Sequence, residues 1–170
     1  MRTIGRTING IISSALWMLT ILAYCASASA ADLKDFTSDG CSLFPDGTIG
    51  DRAKWCECCL RHDIAYWRGG TEDERRKSDE ELRTCVAERT GSKSLAETMY
   101  LGVRAGGHPV FPAWYRWAYG WSYGRGYRPL SDEEQQVVRA KLADYKTNHP
   151  GGYCSETHIP SGKNDRGGGK

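Results

Sequence analysis

Cys58-Cys59-Leu60-Arg61-His62-Asp63 sets a histidine and a carboxylate side by side, one helical turn beyond a pair of cysteines. Oxidised, those cysteines would pin the His-Asp pair in place. A fixed imidazole next to a fixed carboxylate is the minimum equipment for metal-assisted attack of water on an ester.

Helices must hold these groups. Trp55, Cys59, His62 and Tyr66 recur at i, i+4, i+7 and i+11, one face of a helix running from about Asp51 to Trp67. Gly69-Gly70 supplies its stop. A second helix opens at once on the capping box Thr71-Glu72-Asp73-Glu74 and runs to about Arg89, ending near Gly91. Its apolar stripe is Leu82, Cys85 and Val86, and Asp79 sits on that stripe. A carboxylate on the buried side of a helix is costly unless something pairs with it. A further helix begins at the capping box Ser131-Asp132-Glu133-Glu134, carries Val138, Leu142 and Tyr145 on one face, and ends between Asn148 and Gly152. A shorter helical piece spans about Ser94 to Ala105.

The link Arg68-Gly69-Gly70-Thr71 is short, and short links make neighbouring helices antiparallel. His62 and Asp79 then lie at similar heights, each about 11 Å from the bend. The buried carboxylate gains a partner and the imidazole an orienting group, which presents its other nitrogen as a general base. Asp63 points about 100° away from His62. It faces the turn-rich loop from Asp39 to Gly47, a plausible Ca²⁺ site, since that ion takes oxygen ligands. The expected fold class is all-α: a disulfide-stapled pair of antiparallel helices with additional shorter helices and long loops rich in glycine and aromatic residues.

The chain opens like a secretory leader. Arg2 and Arg6 precede a mostly apolar run from Ile11 to Tyr24, followed by the small-x-small sites Ala26-Ser27-Ala28 and Ala28-Ser29-Ala30. The run is short for a membrane span, which needs about 20 residues; an uncleaved anchor is the alternative. Residues 1–30 are thus expected as a signal peptide, 31–160 as one domain, and the Gly- and charge-rich 161–170 as a disordered tail. The implied location is secreted or periplasmic. Cleavage at that site removes two arginines, so Lys+Arg falls from 23 to 21 against Asp+Glu 21. A neutral chain offers no basic field for nucleic acid. Seven cysteines become six (Cys41, Cys56, Cys58, Cys59, Cys85, Cys154), the arithmetic of three disulfides in an oxidising compartment. In a cytosolic chain the same Cys-x-Cys-Cys…His cluster would suggest zinc. The aliphatic content is modest, which disulfides usually supplement.

From about Gly40 to Val86 the residues resemble secreted phospholipases A2, of the bacterial type with a divergent calcium loop. Cys58-Cys59-x-x-His62-Asp63-x-x-Tyr66 is similar to that family's active-site helix, and Asp79 with Cys85 six residues on matches its second helix. The resemblance implies His62 as general base, Asp79 as its orienting carboxylate, and Tyr66 as support for Asp79. It implies Asp63 as the side-chain calcium ligand, with the carbonyls of Gly40, Ser42 and Phe44. It implies disulfides Cys58–Cys85 and Cys41–Cys59, leaving Cys56 with Cys154. The activity implied is Ca²⁺-dependent hydrolysis of the sn-2 ester of a glycerophospholipid, at a membrane or micelle surface. A loop N–H, that of Gly40 or Cys41, would be a second oxyanion donor. Departures are Leu43-Phe44-Pro45 in the loop and Ala65 where the family carries a cysteine.

Residues 111–128 admit two readings. Trp114, Trp117 and Trp121, among three arginines and no acid, could form a surface for the lipid headgroup layer. Alternatively the rings pack onto the helices and replace missing aliphatic core, the reading weighted slightly ahead. His108, His149 and His158 carry no motif and are expected to face solvent. Two rival functions remain: a phospholipase-like lipid-binding protein or toxin without turnover, and a disulfide-rich exported module with no lipid role.

Overall fold

The computed structural model describes residues 32–150 and 152–154. The expected leader and tail, and His158, lie outside them. The described residues form four helices and no strand: α1 (Cys56–Arg68), α2 (Glu72–Thr90), α3 (Lys93–Gly106) and α4 (Asp132–Asn148).

Local chemistry sets most of the boundaries. At α2 the Glu74 N–H donates to Thr71 Oγ1 (3.2 Å) while Glu74 Oε2 accepts from the Thr71 N–H (2.8 Å). Gly91, left-handed at φ 69°, closes the helix. Ser131 and Glu134 make the same reciprocal cap on α4. Ser92 caps α3 through the Leu95 N–H. The α1 start differs from expectation: the helix begins at Cys56, not near Asp51. The preceding backbone is committed elsewhere. The Trp55 N–H donates to Asp46 O (3.1 Å), the Thr48 N–H to Asp51 O (2.7 Å), and Trp55 Nε1 to Pro45 O (2.6 Å). These bonds fold residues 45–55 into turns.

Two apolar clusters meet at α1. One gathers Leu33, Phe36, Leu60, Tyr66, Trp67, Trp117, Trp121 and Val138, with Leu142 and Tyr145 of α4 at its edge. The other joins Trp55, Leu82, Val86, Ala96, Met99 and four cysteines. Helix α2 packs on both α1 and α3. Contacts pair rising positions on α1 with falling positions on α2: Cys58 with Cys85, His62 with Asp79, Tyr66 with Arg75.

The aromatic segment is largely core. Trp117 is fully buried and Trp121 nearly so. Of the two readings of this segment the core one holds for both, and as lipid-facing residues they are corrected. Their indole N–H groups donate to Gly70 O (3.0 Å) and Arg68 O (2.7 Å), and the Ala118 and Gly120 N–H groups donate to Tyr66 O (2.7 Å) and Trp67 O (3.2 Å). Residues 117–121 thus satisfy the carbonyls that α1 leaves unpaired where it ends. The geometry is tight: Gly69 has φ 70°, and a Cβ there would lie 2.6 Å from Ala118 Cβ. Ala118 itself is held at φ 62°, with its carbonyl and those of Trp117 and Trp121 accepting from the buried Arg116 guanidinium. Trp114 alone of the three tryptophans is exposed, at 58%.

Three disulfides close the frame: Cys41–Cys59, Cys56–Cys154 and Cys58–Cys85, with Cα separations of 5.0, 5.7 and 5.7 Å. Cys41–Cys59 and Cys58–Cys85 are the pairs that the resemblance implies, and Cys56–Cys154 is the one they leave. Cys56–Cys154 spans 98 positions and ties the start of α1 to the chain beyond α4. In a chain-entropy account a loop of that length is worth about 4–5 kcal/mol.

Candidate active site

His62 stands on α1 one turn after Cys58, whose disulfide to Cys85 fastens that turn to α2. Its Nε2 lies 2.8 Å from Oδ1 of Asp79, which is wholly buried. Burial pushes the Asp79 carboxyl upward, but hydrogen bonds from His62, Arg104 and Tyr66 outweigh it and leave the group below its usual range. An ionised carboxylate only accepts, so Nε2 carries the shared proton and Nδ1 is the basic nitrogen. No hydrogen bond from the described residues engages Nδ1, and His62 lines a large cavity.

Tyr66, one turn further, donates its hydroxyl to the same Asp79 Oδ1 at 2.8 Å, and its ring lies against the imidazole with centroids 4.1 Å apart. Burial, with the Asp79 charge adding to it, pushes the phenol strongly upward, so Tyr66 stays a donor. Two residues that sequence reasoning missed complete this cluster. Arg104 of α3 donates from Nη1 to Asp79 Oδ2 at 2.8 Å. Arg75 of α2, almost fully buried, has Nε 3.0 Å from Tyr66 Oη and 3.8 Å from Asp79 Oδ2. Its other nitrogens reach Tyr127 Oη, Val103 O and Arg104 O. Arg75 was legible in principle, because it precedes Asp79 by four positions on one helical face. Arg104 carried no such signal, since only the packing of α3 brings it near.

Asp63 is 9% exposed and accepts from Ser38 Oγ at 2.6 Å. Burial pushes its carboxyl well up; the Ser38 bond opposes this, and the charges of Asp39 and Asp46 add to it. The loop expected to face Asp63 does line the same cavity, with Gly40, Ser42 and Phe44 on its wall. Gly40 has φ 77°, and a Cβ there would fall 2.2 Å from Asp46 Oδ1. The backbone N–H groups of Gly40 and Cys41, expected as oxyanion donors, are spoken for: one donates to Ser38 Oγ (3.1 Å), the other to Asp46 Oδ1 (2.6 Å). Ser38, just before the loop, and the short Asp46 side chain reaching back to it are the physical reasons.

Among the described residues no three His, Cys, Asp or Glu side chains are grouped to hold a metal ion. Asp63 and the loop line one cavity, and carboxylate and backbone carbonyl oxygens are ligands of the hard kind that Ca²⁺ takes. A carboxyl pushed up first by burial and then by neighbouring acids is a group that a divalent cation would return to its ionised form. The oxygen types on this wall therefore suit calcium in chemistry.

The cavity measures about 960 Å³ and brings His62 and Asp63 together with Leu43, Met99, Val103 and Trp114. That is at the upper end of small-molecule sites, and its wall is mostly apolar. The remaining sequence expectations place simply. His108 is exposed, as expected, whereas His149, expected to face solvent, is half-buried and stacked on Tyr145.

In comparison with known proteins, no family model, no curated protein and no solved structure matches this chain.

Proposed function

We propose that this chain is a secreted hydrolase of the phospholipase A2 kind, cleaving the sn-2 acyl ester of glycerophospholipids in a calcium-dependent reaction. The observation that carries the reading is the His62 imidazole. Its Nε2 is held by a buried carboxylate at 2.8 Å while the ring borders an apolar cavity that also contains Asp63. In this reading α1 and α2 are an antiparallel pair stapled by Cys58–Cys85, and the three disulfides suit an oxidising compartment.

The chain's own groups perform the proton work. A water at His62 Nδ1 gives up a proton as its oxygen bonds to the ester carbonyl carbon. The imidazolium that forms is stabilised by Asp79, and Tyr66 holds the carboxylate in line. The same proton then passes to the departing alkoxide as the C–O bond breaks, giving a free fatty acid and a lysophospholipid. Ca²⁺ bound by Asp63 and the carbonyls of Gly40, Ser42 and Phe44 would polarise the ester carbonyl and offset the developing oxyanion charge. The apolar wall suits acyl chains, and Trp114, exposed at the cavity, suits the headgroup layer.

One observation favours a second reading, a lipid-binding protein without turnover. The Gly40 and Cys41 N–H groups are already bonded within the loop, so the oxyanion would lack backbone donors unless the loop rearranges. Mixed micelles of detergent and phosphatidylcholine labelled in the sn-2 chain separate the two. The hydrolase reading expects labelled fatty acid in Ca²⁺ and none in EGTA; micelle binding with no release in Ca²⁺ would establish the silent binder.

A further inference from the structure

A carboxylate that orients a histidine has two oxygens and one soft torsion. If only Oδ1 is held, rotation about Cβ–Cγ swings it off the imidazole. In this protein the second oxygen is held as well. Asp79 Oδ1 accepts from His62 Nε2 and Tyr66 Oη, each at 2.8 Å, and Oδ2 accepts from Arg104 Nη1 at 2.8 Å. The carboxylate is fully buried, so no water competes for Oδ2.

Arg104 is itself fixed. Its carbonyl accepts from Arg75 Nη2 at 2.9 Å, and the same guanidinium reaches Tyr66 Oη, Tyr127 Oη and Val103 O. Three helices therefore converge on one carboxylate: α1 with His62 and Tyr66, α2 with Arg75, and α3 with Arg104. Arg75, almost without exposed surface, is a packing hub. Arg104, whose side chain keeps 27% exposure, can be altered at the edge of the fold.

We propose that Arg104 is a positioning residue: by occupying Asp79 Oδ2 it fixes the carboxylate torsion and so the orientation of the His62 ring. Without Arg104, Oδ2 would keep only Arg75 Nε at 3.8 Å, too far for a hydrogen bond, and the carboxylate would be freer to tilt. A bond to a charged donor on the second oxygen removes that freedom. The kinetic part of this inference rests on the hydrolase reading above; the geometric part does not.

The test uses the full chain with Arg104→Gln and Arg104→Lys, and two readouts. The first is the proton NMR resonance of the His62 Nε2–H, which reports the His62–Asp79 bond directly. The second is fatty acid release from sn-2-labelled phosphatidylcholine micelles in Ca²⁺. Arg104→Gln is expected to shift the resonance and to lower kcat on the order of tenfold or more, with KM within about twofold. Arg104→Lys, which keeps a cation within reach of Oδ2, is expected to restore part of both. An unmoved resonance with wild-type kcat in a folded Arg104→Gln overturns the proposal. Should Arg104→Gln not fold, Arg104→Met, which keeps the aliphatic length of the side chain without a donor, takes its place: a displaced resonance supports the clamp, and an unmoved one reduces Arg104 to a stability residue and overturns it. If the wild type releases no fatty acid, the hydrolase reading fails, while the resonance still decides the clamp.

Discussion

Ser38 Oγ lies 2.6 Å from Asp63 Oδ2 across 25 positions of chain. It joins the segment before the loop to the carboxylate beside His62. The same hydroxyl accepts from the Gly40 N–H, so one serine fixes both Asp63 and the entry to the loop. Ser38→Ala leaves a buried carboxylate without its donor. A loss of about 1–3 kcal/mol in denaturant unfolding without calcium is expected. If calcium binds Asp63, adding it to the variant recovers much of that loss. A variant as stable as wild type in EGTA would show that the bond contributes nothing.

Gly107 packs against Tyr66, and a Cβ at this position would lie 2.5 Å from Tyr66 Cε1. Gly107→Ala must push the phenol away from Asp79. Overpacking of this kind costs about 1–3 kcal/mol, and turnover should fall further than stability because the Tyr66–Asp79 bond is disturbed. Unfolding and micelle kinetics on the same preparation check this; unchanged kcat would show that Tyr66 does not support the dyad.

Trp114 and Trp117 should part company. Trp117→Ala removes a fully buried indole and is expected to cost about 3–5 kcal/mol. Trp114→Ala should leave the unfolding midpoint nearly unchanged and weaken partitioning onto anionic or zwitterionic vesicles in a sedimentation assay. Equal vesicle binding by wild type and Trp114→Ala would remove this residue from any lipid contact.

Arg125 and Glu134 form a buried pair with two bonds of 2.8 and 2.7 Å. The Arg125 bond, first, together with the Ser131 N–H, holds the Glu134 carboxyl below its usual range against burial. A carboxyl lower in the folded than the unfolded state adds stability above its unfolded value, and that stability drains away as pH falls through the folded value. Glu134→Gln should therefore cost about 3 kcal/mol near neutrality and progressively less below about pH 4. Thermal unfolding of both proteins from pH 7 to pH 3 tests this. A gap that is constant with pH would contradict the ionic account.

What the sequence made legible was whatever local chemistry determines. The capping boxes at Thr71 and Ser131 and the Gly91 stop set helix ends through bonds within four residues, and they lie where expected. Cysteine spacing gave the three pairs only with the help of a family resemblance. Features made by distant packing were not legible. The reading put ahead has the rings of 117–121 packed onto the helices, but it does not supply the means: the N–H groups of this turn meet the carbonyls at the end of α1, a fit that no periodicity encodes. Arg104 reaches Asp79 only after α3 has folded back. The N–H groups of Gly40 and Cys41 looked available in the chain and are occupied by Ser38 and Asp46, since a loop's internal bonds depend on its closure.

The most direct measurement is fatty acid release by wild type and His62→Gln, side by side, on sn-2-labelled micelles in Ca²⁺. Glutamine keeps the shape and polarity of the position and removes the basic Nδ1. Release by the wild type that falls about a thousandfold in the variant, with the fold intact by circular dichroism, is the predicted result. Release that survives the substitution would contradict the account.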